Sequence, residues 1–149
     1  MSSIKDFVED RKRRLADQEE NESKVMVLNR KSRALEERLW EQLKVGDIIK
    51  VEKDHFFPAD LLYISSFQKS SDETLLNKTS ECYVQTKNLD GETNLKQKTS
   101  IFEVSRECFP ETNGIHPSDI KGLIDFKAEI QCEKPGTNIY KFDGVIKLR

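Results

Sequence analysis

Near the start of the chain, hydrophobic residues recur three to four positions apart among charged residues that are good helix formers. These hydrophobic residues are Ile4, Phe7, Val8 and Leu15. The helical pattern extends over residues 4–23, and we predict that the helix ends near Asn21. The basic run at residues 11–14 is typical of a solvated helix face, or of a surface beside anionic lipid headgroups.

The next two segments have different patterns. The apolar run at residues 25–28 is short and bounded by polar residues, which favours a buried strand. Farther on, Leu35, Leu39 and Leu43 fall four apart among good helix formers. Ser32 precedes them at a position suited to a helix N-cap. The local pattern of this second segment therefore predicts a helix.

The middle of the chain has the alternating, β-branched character of strands. We predict strands at residues 45–51, 59–65, 82–86 and 95–99. Residues 67–80 are rich in serine, threonine, lysine and aspartate, which predicts a mobile insertion at the surface. Asp90 and Gly91 form a turn signal ahead of the last of these strands.

The part after residue 101 begins with irregular chain. Proline and glycine predict the absence of regular structure over residues 102–117. Ser118 is placed to cap a short helix that includes Ile120, Leu123 and Ile124.

The last residues again have strand character. Residues 126–132 alternate between apolar and polar, as a half-buried strand does. Asp143 and Gly144 favour a two-residue hairpin turn between residues 139–142 and 145–148. Many short strands behind one helical segment predict a mainly β fold with appended α structure, a small antiparallel barrel or sandwich.

Composition and charge narrow the function classes. The length of 149 residues suits one domain, and 25 basic against 27 acidic side chains give no pull toward nucleic acid. The apolar runs fall short of the roughly 18 residues that a spanning helix needs. We expect no signal peptide, because residues 1–10 are polar. The three cysteines lack the spacing of a zinc site or a disulfide framework, and we interpret them as reduced thiols.

The segment at residues 88–96 carries the candidate chemistry, although its local pattern describes an ordinary hairpin. It reads Asn-Leu-Asp-Gly-Glu-Thr-Asn-Leu-Lys, a tight and exposed bend with two carboxylates. A glutamate on such a turn is usually just solvated. The sequence contains no phosphate-binding glycine loop or Ser-His-Asp arrangement that competes with it.

This segment belongs to a longer series of motifs that resembles the actuator domain of type IV P-type ATPases, the phospholipid flippases. Residues 89–96 resemble the signature loop of that domain. The other matching elements, in the family's order, are Trp40, residues 45–51, residues 58–62 with 65–66, residues 83–84 with 86, residues 132–135 and residues 139–144. Such a series is far more specific than one short motif. The resemblance also implies extended chain, rather than a helix, leading into Trp40.

The resemblance implies a part in a phosphorylation cycle. In these ATPases an aspartate of a separate domain takes the phosphoryl group from ATP. The actuator loop then swings over the aspartyl phosphate, which water attacks. Glu92 is expected to orient and deprotonate that water. Gly91 is expected to let the backbone approach the phosphoryl oxygens, Thr93 to add a hydroxyl and Asp90 to shape the turn.

The implied fold is a distorted antiparallel, jelly-roll-like β barrel with an N-terminal helical segment. We expect one actuator domain over residues 1–149. Within it, residues 1–23 are a helical stalk extension from the second membrane helix and residues 24–149 a β-rich core, with the family's final strands missing. Pro58, Ala59 and Asp60 are expected to be supporting scaffold.

The expected setting is a cytosolic domain of an integral multi-pass membrane protein. We expect no cofactor or metal in this domain, and ATP and Mg²⁺ in the full-length protein. The expected partners are the phosphorylation and nucleotide-binding domains of the same chain, membrane phospholipid and an accessory β-subunit, with no nucleic acid. The isolated domain is expected to hydrolyse no ATP.

Two alternatives stay open. One is the actuator of a cation-pumping P-type ATPase, although that branch resembles Thr-Gly-Glu-Ser at this loop, so that Asp90 and Thr93 argue against it. The other is a non-catalytic regulatory domain, similar to a flippase region but fused to another enzyme. The intact loop around Glu92 favours an active pump.

Overall fold

The computed structural model describes residues 2–69, 71, 75–111, 120–134, 136 and 142–149, with side chains from residue 8 onward. The chain divides into two compact units, Met1–Leu61 and Leu62–Arg149. In the described residues, the strands form four small antiparallel sheets, and the longest helix lies at the N-terminus. The predicted mainly β class with an N-terminal helical segment is confirmed.

The first unit consists of a long helix followed by a three-stranded sheet. Its elements are α1 (Ser2–Asn21), β1 (Lys24–Asn29), β2 (Ala34–Leu39), a 3-10 turn (Trp40–Gln42) and β3 (Ile49–Lys50). β1 lies between the other two strands, and this central position buries Val25, Val27 and Leu28. The helix predicted over residues 4–23 and the strand predicted at residues 25–28 are confirmed.

The helix predicted after Ser32 is wrong, because this segment forms β2. It pairs with β1 over six residues, and side-chain contacts join Lys24 to Glu37 and Asn29 to Glu36, each at 2.7 Å. The Ser32 hydroxyl donates to the Glu36 carboxylate at 2.5 Å instead of capping a helix. Cross-strand pairing therefore overrides helix propensity. The extended chain that the family resemblance implied before Trp40 is confirmed.

The strand predicted at residues 45–51 is mostly wrong, since β3 has only two residues. A turn precedes it, in which the Lys44 amide donates to the Asp47 carboxylate at 2.9 Å. Gly46 has a φ of +93°, and Val45 is fully exposed. A left-handed glycine suits a tight turn but interrupts a strand.

The strand predicted at residues 59–65 is also wrong. Residues 59–61, in the first unit, have no regular structure. Residues 62–65, in the second unit, are held by side chains instead of a backbone ladder. The Tyr63 hydroxyl donates to Ser66 Oγ at 2.7 Å, and the Ser65 hydroxyl donates to the Thr79 carbonyl at 3.3 Å.

The second unit contains three hairpin-like strand pairs and three short helices among its described residues. The elements are β4 (Ser66–Lys69), β5 (Leu76–Thr79), β6 (Glu81–Gln85), α2 (Lys87–Asp90), β7 (Leu95–Thr99), α3 (Phe102–Cys108), α4 (Lys121–Asp125), β8 (Ala128–Cys132) and β9 (Gly144–Leu148). β4 pairs with β5, β6 with β7, and β8 with β9. The strands predicted at residues 82–86, 95–99, 126–132 and 145–148 and the short helix at residues 120–124 are confirmed.

Two other predictions for this unit are corrected in their described parts, where regular structure replaces the expected irregular chain, while the mobility expected of residues 67–80 stays a prediction. The insertion predicted at residues 67–80 contains most of β4 and all of β5 in its described part, and these two strands pair with each other over four residues. The irregular chain predicted at residues 102–117 begins with α3. The helix cap predicted at Ser118 lies outside the described residues. The hairpin prediction also concerns residues 139–141, which lie outside them too. β9 instead has β8 as its described partner.

The core of the second unit lies between α3 and α4. Val104, Cys108 and Phe109 are buried there. Partly buried side chains pack around them from Ile64, Phe67, Leu123, Phe126 and Ile146. The rings of Phe67 and Phe109 meet edge to face with centroids 4.8 Å apart. Burial of Val104 and Cys108, four positions apart, gives α3 its apolar face.

Gly122 brings α4 against α3. A Cβ added to Gly122 would lie 1.9 Å from the Cys108 carbonyl oxygen, far inside contact distance. The two helices can therefore approach this closely only with glycine at this position.

Candidate functional site

The β6–β7 loop, residues 86–94, is fixed at both ends by strand pairing. Gln85 pairs with Leu95, and Val84 pairs with Lys96 one step farther from the loop. The single turn of α2 fills the first half of the loop. The loop is therefore a short connection between anchored strands, and this restricts the positions that its side chains can reach.

Gly91 ends α2 in a left-handed conformation. Its φ is +76°, and its amide donates to the Lys87 carbonyl at 3.0 Å. Glycine is the residue that adopts this helix-ending conformation without strain. A Cβ at Gly91 would meet no atom within 4 Å, so the requirement for glycine is conformational and not steric crowding.

Asp90 holds the loop together through three donors. Its Oδ1 accepts hydrogen bonds from the Thr86 hydroxyl at 2.8 Å and from the Glu92 amide at 3.0 Å. Its Oδ2 accepts one from the Lys96 ammonium at 2.6 Å. Only 5% of the Asp90 side chain is exposed. The bond to the Glu92 amide is the turn-shaping contact expected of an aspartate here.

The same contacts keep Asp90 ionised. The hydrogen bond from Lys96, followed by those from the Glu92 amide and the Thr86 hydroxyl, lowers the pKa of Asp90 to about 2. Both carboxylate oxygens are already engaged. Asp90 therefore acts as a structural anion in this loop and is poorly placed to bind a metal or to accept a proton near neutral pH.

Lys96 joins the two carboxylates of the loop. Its ammonium lies 2.6 Å from Asp90 Oδ2 and 2.8 Å from Glu92 Oε2, and 31% of its side chain is exposed. The hydrogen bonds to Asp90 and then to Glu92 raise the pKa of Lys96 above its ordinary value. Lys96 is therefore a permanent positive charge between the two acids.

Glu92 is the accessible carboxylate of the loop. Its side chain is 55% exposed, in contrast to that of Asp90. The contact with Lys96 engages Oε2 of Glu92, while the side chain stays accessible to solvent and to other partners. A solvent-accessible carboxylate on a fixed loop has the chemistry of a general base.

Thr93 lies beside Glu92 and is exposed. Its carbonyl accepts a hydrogen bond from Gln85 Nε2 at 2.9 Å, which ties the second half of the loop to β6. The Thr93 side chain remains accessible at the tip.

The structure thus brings Asp90, Glu92 and Lys96 into contact, with Gly91 and Thr93 on the same loop. The contact between Thr86 and Asp90 was not predicted. Its signal in the sequence is the four-residue spacing of a hydroxyl and a carboxylate, which one helical turn brings together.

The predicted scaffold residues lie in the first unit. Pro58 is half-buried, whereas Ala59 and Asp60 are exposed, and all three lie in a segment without helix or strand. Their supporting role stays a prediction.

Cys82, Cys108 and Cys132 are free thiols. Within the described residues, no group of three or more His, Cys, Asp or Glu side chains could hold a metal ion. No helix in the described part of the chain has both the length and the apolar character needed to cross a bilayer.

Comparison with curated proteins gives relatives over nearly the whole chain. A probable phospholipid-transporting ATPase 12 of Arabidopsis thaliana is 42% identical over 146 residues, which are 98% of this chain and 11% of the relative. A phospholipid-transporting ATPase of Schizosaccharomyces pombe is 41% identical over 149 residues, which are 99% of this chain and 10% of the relative. Phospholipid-transporting ATPase 10 of Arabidopsis thaliana is 41% identical over 145 residues.

The chain spans about a tenth of the length of these relatives. No family model matches it. At this identity over about 98% of the chain, the similarity extends far beyond the β6–β7 loop.

Proposed function

We propose that this chain, a segment of the phospholipid-transporting P-type ATPase family, is the cytosolic actuator domain of a type IV ATPase. In this proposal its β6–β7 loop promotes hydrolysis of an aspartyl phosphate and couples that step to lipid translocation. The family membership rests on the relatives. The role of the loop rests on the motif at residues 89–96 and on the geometry of its two acids.

The observation that carries the proposal is the contrast between Asp90 and Glu92. One carboxylate is 5% exposed and bonded on both oxygens, while the other, two residues on, is 55% exposed. The bonded carboxylate of Asp90 maintains the shape of the loop, and the exposed carboxylate of Glu92 is left to react. Glu92 is therefore assigned as the catalytic residue, and Asp90 as the residue that shapes the loop.

The proposed step is attack of water on the phosphorus of the aspartyl phosphate. Glu92 accepts a proton from the attacking water, the bond between phosphorus and the acyl oxygen breaks, and inorganic phosphate and a free aspartate result. Gly91 gives the backbone a bend without a side chain at the point of closest approach. Thr93 presents its hydroxyl beside Glu92.

The proposed function also requires other domains of the full-length protein and further partners. ATP and Mg²⁺ are proposed to bind to the phosphorylation and nucleotide-binding domains of the full-length protein, which the family resemblance and the phospholipid-transporting ATPase relatives support. An accessory β-subunit and membrane phospholipid are further proposed partners. The domain itself is proposed to hydrolyse no ATP alone and to lie on the cytosolic side of a multi-pass membrane protein.

The test is the Glu92→Gln variant of the full-length ATPase. It keeps the size of the side chain and removes the proton acceptor. We expect phosphoenzyme to form from ATP and then to decay about 10² to 10⁴ times more slowly, with loss of lipid transport. The measurement is the decay of radiolabelled phosphoenzyme after a chase with unlabelled ATP.

Glu81→Gln is the matched control, since Glu81 is exposed on β6 of the same hairpin and outside the loop. The phosphoenzyme of this variant should decay at the reference rate. Normal decay in Glu92→Gln would refute the assigned role.

A further inference from the structure

We propose that Lys96 is a positioning residue for Glu92. Its ammonium, held by Asp90, directs the Glu92 carboxylate and offsets the repulsion between that carboxylate and the phosphoryl oxygens. This inference rests on the proposed function of the β6–β7 loop.

The first support is that Lys96 starts from a fixed point. Its backbone lies in β7, in register with Val84 of β6, so it belongs to the sheet and not to the loop. Its ammonium is then held at 2.6 Å by a carboxylate of which only 5% is exposed. A long lysine side chain held at both ends loses most of its freedom to move.

The second support is that Lys96 reaches Glu92 from this fixed position. The distance from the ammonium to Glu92 Oε2 is 2.8 Å, which is a hydrogen-bonded ion pair. Asp90 also accepts a hydrogen bond from the Glu92 amide. The backbone of Glu92 is therefore bonded to Asp90 and its side chain to Lys96, and these two residues are bonded to each other. The direction of the Glu92 carboxylate is thereby set by Lys96.

The third support is electrostatic. Asp90 and Glu92 place two negative charges on one short loop, and a phosphoryl group would add further negative charge nearby. Like charges at such distances repel unless a cation lies between or beside them. Lys96 is a cation in contact with both acids. It therefore reduces the repulsion that Glu92 would meet on approaching an aspartyl phosphate.

The test uses the full-length ATPase. Lys96→Met keeps the aliphatic stem and removes the charge, and we expect phosphoenzyme decay to slow about 10- to 100-fold, as for a misdirected catalytic group. Lys96→Arg retains a cation and should recover part of the rate. Lys98→Met is the matched control, since Lys98 is exposed two positions along the same strand, and it should decay at the reference rate.

A double variant separates positioning from a general structural role. If Lys96 acts through Glu92, adding Lys96→Met to Glu92→Gln should slow decay no further than Glu92→Gln alone. An equal extra slowing in both backgrounds would overturn the inference, as would normal or faster decay in Lys96→Met. Slow decay in Glu92→Gln with normal decay in Lys96→Met would leave the proposed function standing and reject only the role of Lys96. Normal decay in Glu92→Gln would reject the proposed function itself.

Discussion

The α3–α4 core and the β6–β7 loop belong to the same compact unit, yet different interactions hold them. The core consists of buried Val104, Cys108 and Phe109 and a close backbone approach at Gly122. The loop depends on hydrogen bonds and ion pairs around one nearly buried carboxylate, that of Asp90. The core should therefore respond mainly to changes of volume, and the loop to changes of backbone conformation and protonation.

The largest effect should come from added volume in the core. Gly122→Ala places a Cβ 1.9 Å from the Cys108 carbonyl oxygen, so α3 and α4 must move apart. We expect the free energy of unfolding to fall by about 3 kcal/mol. Chemical denaturation followed by circular dichroism measures it.

Gly136→Ala is the control for this variant, because the nearest atom to its added Cβ lies 3.9 Å away. Its stability should stay within about 0.5 kcal/mol of the reference. An equal loss of stability in the two variants would show that the close approach of α3 and α4 does not cause the loss in Gly122→Ala.

A smaller effect should follow from a change of backbone freedom in the loop. Gly91→Ala adds a Cβ that meets no atom within 4 Å, but it forces an L-residue to a φ of +76°. We expect a loss of about 1 kcal/mol, from conformation alone. Gly91→Asn should lose less, since asparagine tolerates this region better. Thermal unfolding of both variants gives the comparison, and an equal loss in the two would contradict it.

The last effect concerns protonation, and it appears only at acidic pH. The pKa of Asp90 is lowered to about 2 in the folded chain, whereas an unfolded aspartate has a pKa of about 3.9. The unfolded state therefore binds more protons, so the contribution of Asp90 to stability is present above about pH 4 and is lost as the pH falls through about 2. A carbon-detected NMR titration of the Asp90 carboxyl should have its midpoint near pH 2.

The core variant Val104→Ala should lose stability but leave that midpoint unchanged if the folded unit persists, since Val104 lies in α3. Asp90→Asn should remove this component of the pH dependence. A midpoint near 4 for Asp90 would mean that the network around it does not hold in solution.

Sequence reasoning succeeded where structure depends on neighbours along the chain. Asp90 and Gly91 predict a turn because a short side chain and a free φ act locally, and β1 follows from its own apolar run. The helix predicted after Ser32 failed because β2 is extended by its pairing with β1, which no local pattern records. The strand predicted at residues 45–51 was wrong for a related reason, because the turn at Gly46 leaves only two of these residues in the sheet.

The same distinction applies within the candidate site. Glu92 was identified by its motif, and its exposure agrees with what a turn residue should have. The contacts of Lys96 with Asp90 and Glu92 depend on which residue of β6 lies opposite it, and this is a property of the folded hairpin. The scaffold assigned to Pro58, Ala59 and Asp60 came from the family resemblance alone and stays a prediction.

The pairing of Val84 with Lys96 also limits how the protein can be re-engineered. Successive side chains of a strand point to opposite faces, so a slip of β7 by one position would turn Lys96 to the opposite face of the hairpin, away from both acids. Insertions or deletions between residues 86 and 94 should consequently be tolerated far less well than substitutions at the exposed tip. The spacing between Asp90 and Lys96 is as much a part of the site as the residues themselves.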